Sequence, residues 1–290
     1  MGRTMTNQPL PRGPRKRQNI APLLAAPRYE VLPLPRVLEA TEQLPAGSVV
    51  TVTSSPHKGV DATIDVAERL AAQGMRAVPH LAARQLHDTA ELSGVLDRLK
   101  LAGIDEVFVV GGDGQHPAGD FPDGLALLRG MAELGRLPGE VGVPSYPEGH
   151  HAIDDATLWR SLHEKQEYAT YTVTQLCFDA DTICRFAATA QREGITLPIV
   201  AGAPGVVDMT KLLRVGLRIG VGDSLRFARG NRSVAGKLLR PGGYRPDGLV
   251  RKLAGRVADG DCALSGLHFY TFNHIAATAR WVRQTHRRAA

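Results

Sequence analysis

Short runs of β-branched and aromatic residues alternate along this chain with longer stretches whose apolar residues recur at helical spacing. Residues 49–53 (Val-Val-Thr-Val-Thr) and 106–110 (Glu-Val-Phe-Val-Val) are clear cases of the first kind and read as central strands. Residues 61–73 are a clear case of the second. There Ile64, Ala67, Leu70 and Ala71 share one face, and Gly74 stops the helix. The same reading places further strands at 29–33, 76–80, 140–144, 171–175, 198–201 and 267–271. Between them it places helices at 35–44, from Asp88 as N-cap to Gly103, and at 125–134, 154–167 and 179–193. Helical stretches follow from Asp208, a Gly/Pro-rich break covers 240–248, and the last helix starts near Asn273.

Eight strand–helix units in succession predict a parallel sheet with crossover helices. Their number and length match an α/β fold of one kind, a single (β/α)8 TIM barrel. A doubly wound open sheet is the alternative. No GxGxxG follows the first strand, and no GxxxxGK[ST] occurs anywhere, so the nucleotide fingerprints of that class are missing.

Composition refines the domain picture. The chain has 290 residues, 43% hydrophobic and 22% charged, enough for one large core. Its net charge of +6 is unevenly placed. Six bases (Arg3, Arg12, Arg15, Lys16, Arg17 and Arg28) precede the first acid, Glu30, and the remainder balances 29 acids. The expected organisation is therefore a disordered, basic, proline-containing tail over residues 1–27 and a neutral barrel over 28–290. A neutral body speaks against nucleic acid as a partner. The apolar stretch after Arg15-Lys16-Arg17 is short and broken by Pro22, unlike a secretion signal. No apolar run approaches the length of a membrane span. The sparse cysteines, Cys177, Cys184 and Cys262, argue for a reducing compartment, the cytoplasm, and against a disulfide frame or zinc knuckle.

Candidate chemistry concentrates where a barrel holds its active site, at the C-terminal ends of the strands. Glu30, Thr53, His80, Asp113, Tyr146, Gln175 and His268 all fall there, with Glu148, His150, Tyr270 and Asn273 close by. A purely structural barrel has no need for so many hydrogen-bonding groups. Each also has a plainer reading: Asp113 as a helix cap, His80 as a satisfied core histidine, Cys177 as packing. The spacing of Glu148, His150 and His151 matches no standard metal site, and no metal is expected.

The order of these residues resembles the methylenetetrahydrofolate reductase family. The matching pieces are Tyr29-Glu30-Val31-Leu32-Pro33, Val78-Pro79-His80-Leu81, Gly112-Asp113, Tyr146-Pro147-Glu148-Gly149-His150, Lys165, Thr174-Gln175-Leu176-Cys177-Phe178-Asp179, Gly194-Ile195 with Pro198-Ile199, and His268-Phe269-Tyr270-Thr271-Phe272-Asn273. The resemblance covers about residues 28–285. It implies hydride transfer to the methylene carbon of 5,10-methylenetetrahydrofolate, after the five-membered ring opens to an iminium cation. It implies Glu30 as the acid that protonates the leaving nitrogen and Asp113 as a stabiliser of the cation. It implies folate contacts at Gln175, Thr53, Asn273 and His274, and cofactor contacts at His80, Gly112, Tyr146, His150 and Lys165.

The family normally carries FAD, and the departures fall mostly on the flavin side. Gly111 stands where the family has arginine, Phe121-Pro122 where it has Tyr-Ala, and Leu158 near its aspartate. Tyr168-Ala169-Thr170 replaces Ala-Gly-Ala, His274 replaces arginine, and Lys211 and Val215 replace Gln and Phe. The expectation is a reductase in which NADH gives its hydride directly, with FAD absent. FAD held through other contacts is the alternative. A barrel lyase or aldolase on a phosphorylated substrate is a further one, with Ala201-Gly202-Ala203-Pro204-Gly205 as its weak phosphate option. A non-catalytic binding module using the basic tail is disfavoured by the neutral body and the polar strand ends.

Overall fold

The computed structural model of the chain describes residues 20–55, 58–114, 116–208 and 243–289. Eight strands, all parallel, close into a barrel in chain order. They are β1 (Arg28–Val31), β2 (Val49–Val52), β3 (Arg76–Ala82), β4 (Glu106–Val110), β5 (Glu140–Ser145), β6 (Tyr171–Thr174), β7 (Ile199–Pro204) and β8 (Gly266–Tyr270). The described helices are α1 (Val37–Thr41), α2 (Gly59–Ala72), α3 (Thr89–Leu101), α4 (Gly124–Glu133), α5 (Asp155–Lys165), α6 (Ala180–Arg192), α7 (Asp247–Ala258) and α8 (Ile275–Ala289). This is the (β/α)8 barrel expected from the alternation.

Local chemistry sets the helix starts. Asp88, Asp123, Asp154 and Asp179 each accept a hydrogen bond from a backbone N–H in the first turn of α3, α4, α5 and α6. Each such cap contributes about 1 kcal/mol. The outward strand residues pack against the helices in one continuous core, which includes Val50, Val52, Leu81, Val107, Val109 and Ala201. The inward residues form a second core at mid-height of the barrel: Val49, Val78, Phe108, Tyr171, Val173 and Val200. Gly142 makes room for it. A Cβ there would lie 2.4 Å from Tyr171 Cζ and 2.5 Å from Phe108 Cδ2, so a side chain would displace the rings that fill the barrel.

Below that layer, at the N-terminal mouth, the barrel holds a charged network. Arg28 and Arg76 both pair with Glu106, Arg76 at 3.3 Å. Tyr171 Oη donates to Glu106 at 2.8 Å and accepts from Arg28 at 3.2 Å. Glu140 lies 4.0 Å from Arg28 and 3.9 Å from Arg76. Burial works against the Arg28 charge, but Tyr171, Glu106 and Glu140 outweigh it and raise its pKa.

The structure corrects several expectations. Arg28 is not part of a solvated tail; it belongs to β1 and plugs the barrel. The folded body also begins earlier than position 28. Pro22–Leu24 forms a short 3-10 turn with Leu23 and Leu24 buried against β8. Two of the three cysteines are bonded: Cys184 on α6 joins Cys262 just ahead of β8, with Cα atoms 5.0 Å apart. Counting cysteines missed the pair because 78 residues separate them in sequence and only the closed barrel brings them together. No described helix is long and apolar enough to cross a membrane. The expected tail over residues 1–19, and Lys211 and Val215, lie outside the described residues.

Candidate active site

The inward residues at the C-terminal mouth come from β1, β2, β3, β6 and β8. The strand register places Glu30 level with Thr51 on one side and Tyr270 on the other. His268, two residues before Tyr270, points to the same side, and its Nε2 lies 3.2 Å from Glu30 Oε2. Glu30 is mostly buried and His268 almost wholly so. The His268 ring meets Tyr270 edge-on at 4.9 Å between centroids. Tyr270 Oη donates to the Thr174 carbonyl at 3.2 Å. Its pKa is raised by burial, then by Glu30 and Tyr146, so it remains a phenol.

His80 faces the same space from β3, with its ring on Phe108 at 4.7 Å. Burial pushes its pKa down to about 4, with Glu30 opposing the shift and His268 adding to it. The imidazole is therefore neutral near pH 7. Its Nε2, His268 Nδ1, Thr51 Oγ1 and Thr53 Oγ1 are buried without a hydrogen-bond partner among the described residues. Buried polar atoms are rarely left so, and four of them around one carboxylate mark a place that binds polar groups.

The loops above complete the mouth. Gly112 has φ of +95°, a conformation that strongly favours glycine, and a Cβ there would press on Ala82 at 3.3 Å. That turn presents Asp113. The loop is held by a residue the sequence reading missed, Arg84, just past β3. Arg84 Nε donates to the Pro122 carbonyl at 2.7 Å, its Nη1 to Gly114 at 2.8 Å, and its N–H to Gly111 at 3.0 Å. Only the long-range contacts reveal it; no local spacing signals it. Asp113 acts electrostatically on Tyr146 and His150. Burial and Asp113 push the Tyr146 pKa up to about 12. Burial and His151 lower that of His150, against the pull of Asp113. Tyr146 and His150 meet edge-on at 5.2 Å.

Gln175 caps β6. Its side-chain oxygen accepts from Leu176 N–H at 2.8 Å, leaving the Nε2 donors without a partner among the described residues. Thr53 lies just past β2 with its hydroxyl buried. His274 immediately precedes α8, its N–H donating to the Thr271 carbonyl at 2.8 Å. Asn273, expected as a folate contact, bridges from the end of β8 to the chain just past β1. Both of its side-chain polar atoms bond the Leu32 backbone, at 2.8 and 3.1 Å. Lys165 is the last residue of α5; burial lowers its pKa, and Asp123, the N-cap of α4, and Glu164 oppose the shift.

Other positions separate by location. Phe121 is buried in the core, within reach of Leu92 and Gly130. Thr170 immediately precedes β6, where its hydroxyl accepts from Val141 N–H at 3.0 Å, and Tyr168 lies two residues earlier. Both belong to the N-terminal end and obstruct nothing at the mouth. A Cβ at Gly111 would meet nothing within 4 Å, so that space is open. The phosphate option after β7 is taken up by packing. Gly205 N–H donates to Tyr270 O, and Val206 N–H to Thr278 Oγ1, both at 3.0 Å. The buried Cys177 thiol is pushed up to about 12 by burial and by Glu148, which makes it a poor nucleophile. No group of three or more His, Cys, Asp or Glu side chains among the described residues is arranged to hold a metal.

A sequence model of the family described as methylenetetrahydrofolate reductase matches residues 25–218. A Caenorhabditis elegans protein named as a probable methylenetetrahydrofolate reductase (NADPH) is 26% identical over 205 residues, 65% of this chain. The match takes in 30% of that protein, so the chain spans well under half the length of this relative. A solved structure from Burkholderia cenocepacia J2315, described as a lyase/mutase, superposes over 93% of this chain and 84% of its own. Its TM-score is 0.46 and its identity 13%.

Proposed function

The chain belongs to the methylenetetrahydrofolate reductase family, and from that premise we propose that it reduces 5,10-methylenetetrahydrofolate to 5-methyltetrahydrofolate with NADH and without a resident flavin. The observation that carries the reading is the Glu30–His268 pair at 3.2 Å, set beside the unpartnered His80 Nε2 at the C-terminal mouth.

Glu30 is the proton donor. In its protonated form it gives its proton to the nitrogen that leaves the methylene carbon as the five-membered ring opens. The resulting carboxylate is held by His268, which then carries its own proton on Nε2. Asp113, on the loop clamped by Arg84, supplies negative charge beside the cation left on the folate. Gln175 offers its free Nε2 donors to the pterin and fixes its orientation. Neutral His80 and the Thr53 hydroxyl present hydrogen-bonding groups on the cofactor and substrate sides of the same mouth. A reduced nicotinamide supplies the hydride.

The residues present fit a flavin poorly. Gly111 offers no side chain where the family has a cation. Leu158 offers no hydrogen bond. Each missing polar contact weakens binding by about 1 kcal/mol. Tyr168 and Thr170 add nothing to this argument, because they stand at the N-terminal end. The test is the visible spectrum of the purified protein taken with an NADH oxidation assay. The reading expects colourless protein that oxidises NADH only when methylenetetrahydrofolate is present. Stoichiometric bound FAD would defeat the flavin-free part. Absence of folate-dependent oxidation, with and without added FAD, would defeat the reductase reading.

A further inference from the structure

Glu30 lies in a strand of four residues, β1, one residue before its end. The paired register of β1 and β8 stops at Glu30 and Tyr270. Beyond that point two side chains continue the pairing. Thr271, fully buried, donates its hydroxyl to the Glu30 carbonyl oxygen at 2.5 Å. Asn273 accepts from Leu32 N–H through Oδ1 at 2.8 Å and donates to Leu32 C=O through Nδ2 at 3.1 Å. The N–H of Asn273 returns to Thr271 Oγ1 at 3.2 Å, joining the two.

The turn is strained to make these bonds. Phe272 and Asn273 adopt φ of 50° and 63° in succession. Among the described residues only Arg36 shares this conformation without being glycine. A buried phenylalanine in the left-handed region is costly, and such strain persists where the surroundings over-determine it, commonly at functional sites. Here the surroundings are the backbone on both sides of one carboxylate. The same strand grips that carboxylate directly through His268.

We propose that Thr271 and Asn273 are positioning residues that fix the Glu30 carboxyl between His268 and the substrate. The proposal rests on the reading of Glu30 as proton donor. It gives Asn273 a role through the Leu32 backbone, to which its amide donates one hydrogen bond and from which it accepts one. β8 and its turn thus set the acid twice, once through the carboxyl and once through the backbone.

A mutant cycle with Glu30→Gln tests this. Thr271→Val keeps the volume and removes the hydroxyl. Asn273→Gly keeps the left-handed conformation available and removes both Leu32 bonds. Each is expected to lower kcat by roughly tenfold or more while the KM values for methylenetetrahydrofolate and NADH stay within about twofold. Thr271→Ser restores most of the rate. In the Glu30→Gln background the same two changes leave the residual rate within about twofold, because no acid remains to be positioned. Thermal unfolding confirms that each variant is folded, and Asn273→Gly alone carries the cycle if Thr271→Val is not. Equal losses in both backgrounds, or an unchanged kcat in the single variants, overturn the proposal. Full activity in Glu30→Gln overturns the proton-donor reading instead, so the two failures are told apart.

Discussion

The two mouths of this barrel both bury ionisable groups, and they treat them in opposite ways. At the N-terminal mouth the partners are all inside the protein. Glu106 meets Arg28, Arg76 and Tyr171, and Glu140 stands behind them. At the C-terminal mouth the accounts are left open. Among the described residues the Glu30 carboxylate pairs with His268, and four buried polar atoms on Thr51, Thr53, His80 and His268 have no hydrogen-bond partner. A folded protein tolerates such orphans when a ligand satisfies them, since each costs about 1–3 kcal/mol otherwise. The difference separates the end built for stability from the end built for binding. It follows that removing the carboxylate of Glu106 at the lower end should alter unfolding and spare turnover, and that removing the acid of Glu30 at the upper end should do the reverse.

The largest effect is expected at the lower end. Glu106→Gln leaves Arg28 buried with Glu140 at 4.0 Å as its remaining carboxylate, and should destabilise the fold by about 3–5 kcal/mol. Denaturant unfolding measures this, and kcat of the folded fraction should stay within about twofold. A large loss of kcat would mean that the two ends are coupled. Next in size is Glu30→Gln at the upper end. The amide fills the same volume without a proton to give, so activity should fall roughly a hundredfold or more, about 2.7 kcal/mol in the barrier. The midpoint of unfolding should barely move. Near-normal turnover would remove Glu30 from the acid role.

Smaller again is a pH effect from His80. Its pKa is depressed to about 4 in the folded state, against about 6.5 when unfolded. The unfolded chain therefore binds more protons as pH falls through that window, and stability is lost on acidification. The loss between about pH 7 and about pH 5 should be about 2 kcal/mol, and a His80→Gln variant should lack it. Denaturation curves at both pH values for the two proteins check this. Identical pH dependence would show that His80 is not held neutral by burial.

Much of this architecture can be read from local pattern. The β-branched runs at 49–53 and 106–110 coincide with strands, and Asp88, Asp154 and Asp179 mark helix starts by a chemistry confined to four residues. The position of Glu30, His80, Gln175 and His268 in or just past strands was legible for the same reason, since the strands themselves were. What was not legible depends on closure of the barrel. Arg28 looked like a tail base because its partners lie 78 and 112 residues away. Cys184 and Cys262 looked unrelated. The Leu32 bonds of Asn273 gave no local signal, because they cross from the end of the last strand to the first. Tyr168 and Thr170 looked like obstacles to a cofactor because sequence order does not tell which end of a barrel a residue occupies. Arg84 gave no signal at all, since its three partners are spread over residues 111–122.

The central claim is that hydride passes directly from the nicotinamide to the folate at the Glu30 mouth. The most direct measurement uses NADH carrying deuterium at the transferred position, in ordinary water, with mass analysis of the methyl group of the product. Direct transfer expects one deuterium retained in the methyl group of nearly every product molecule. Transfer through a flavin would expose the label to exchange with water. A product methyl group without deuterium would therefore contradict the account.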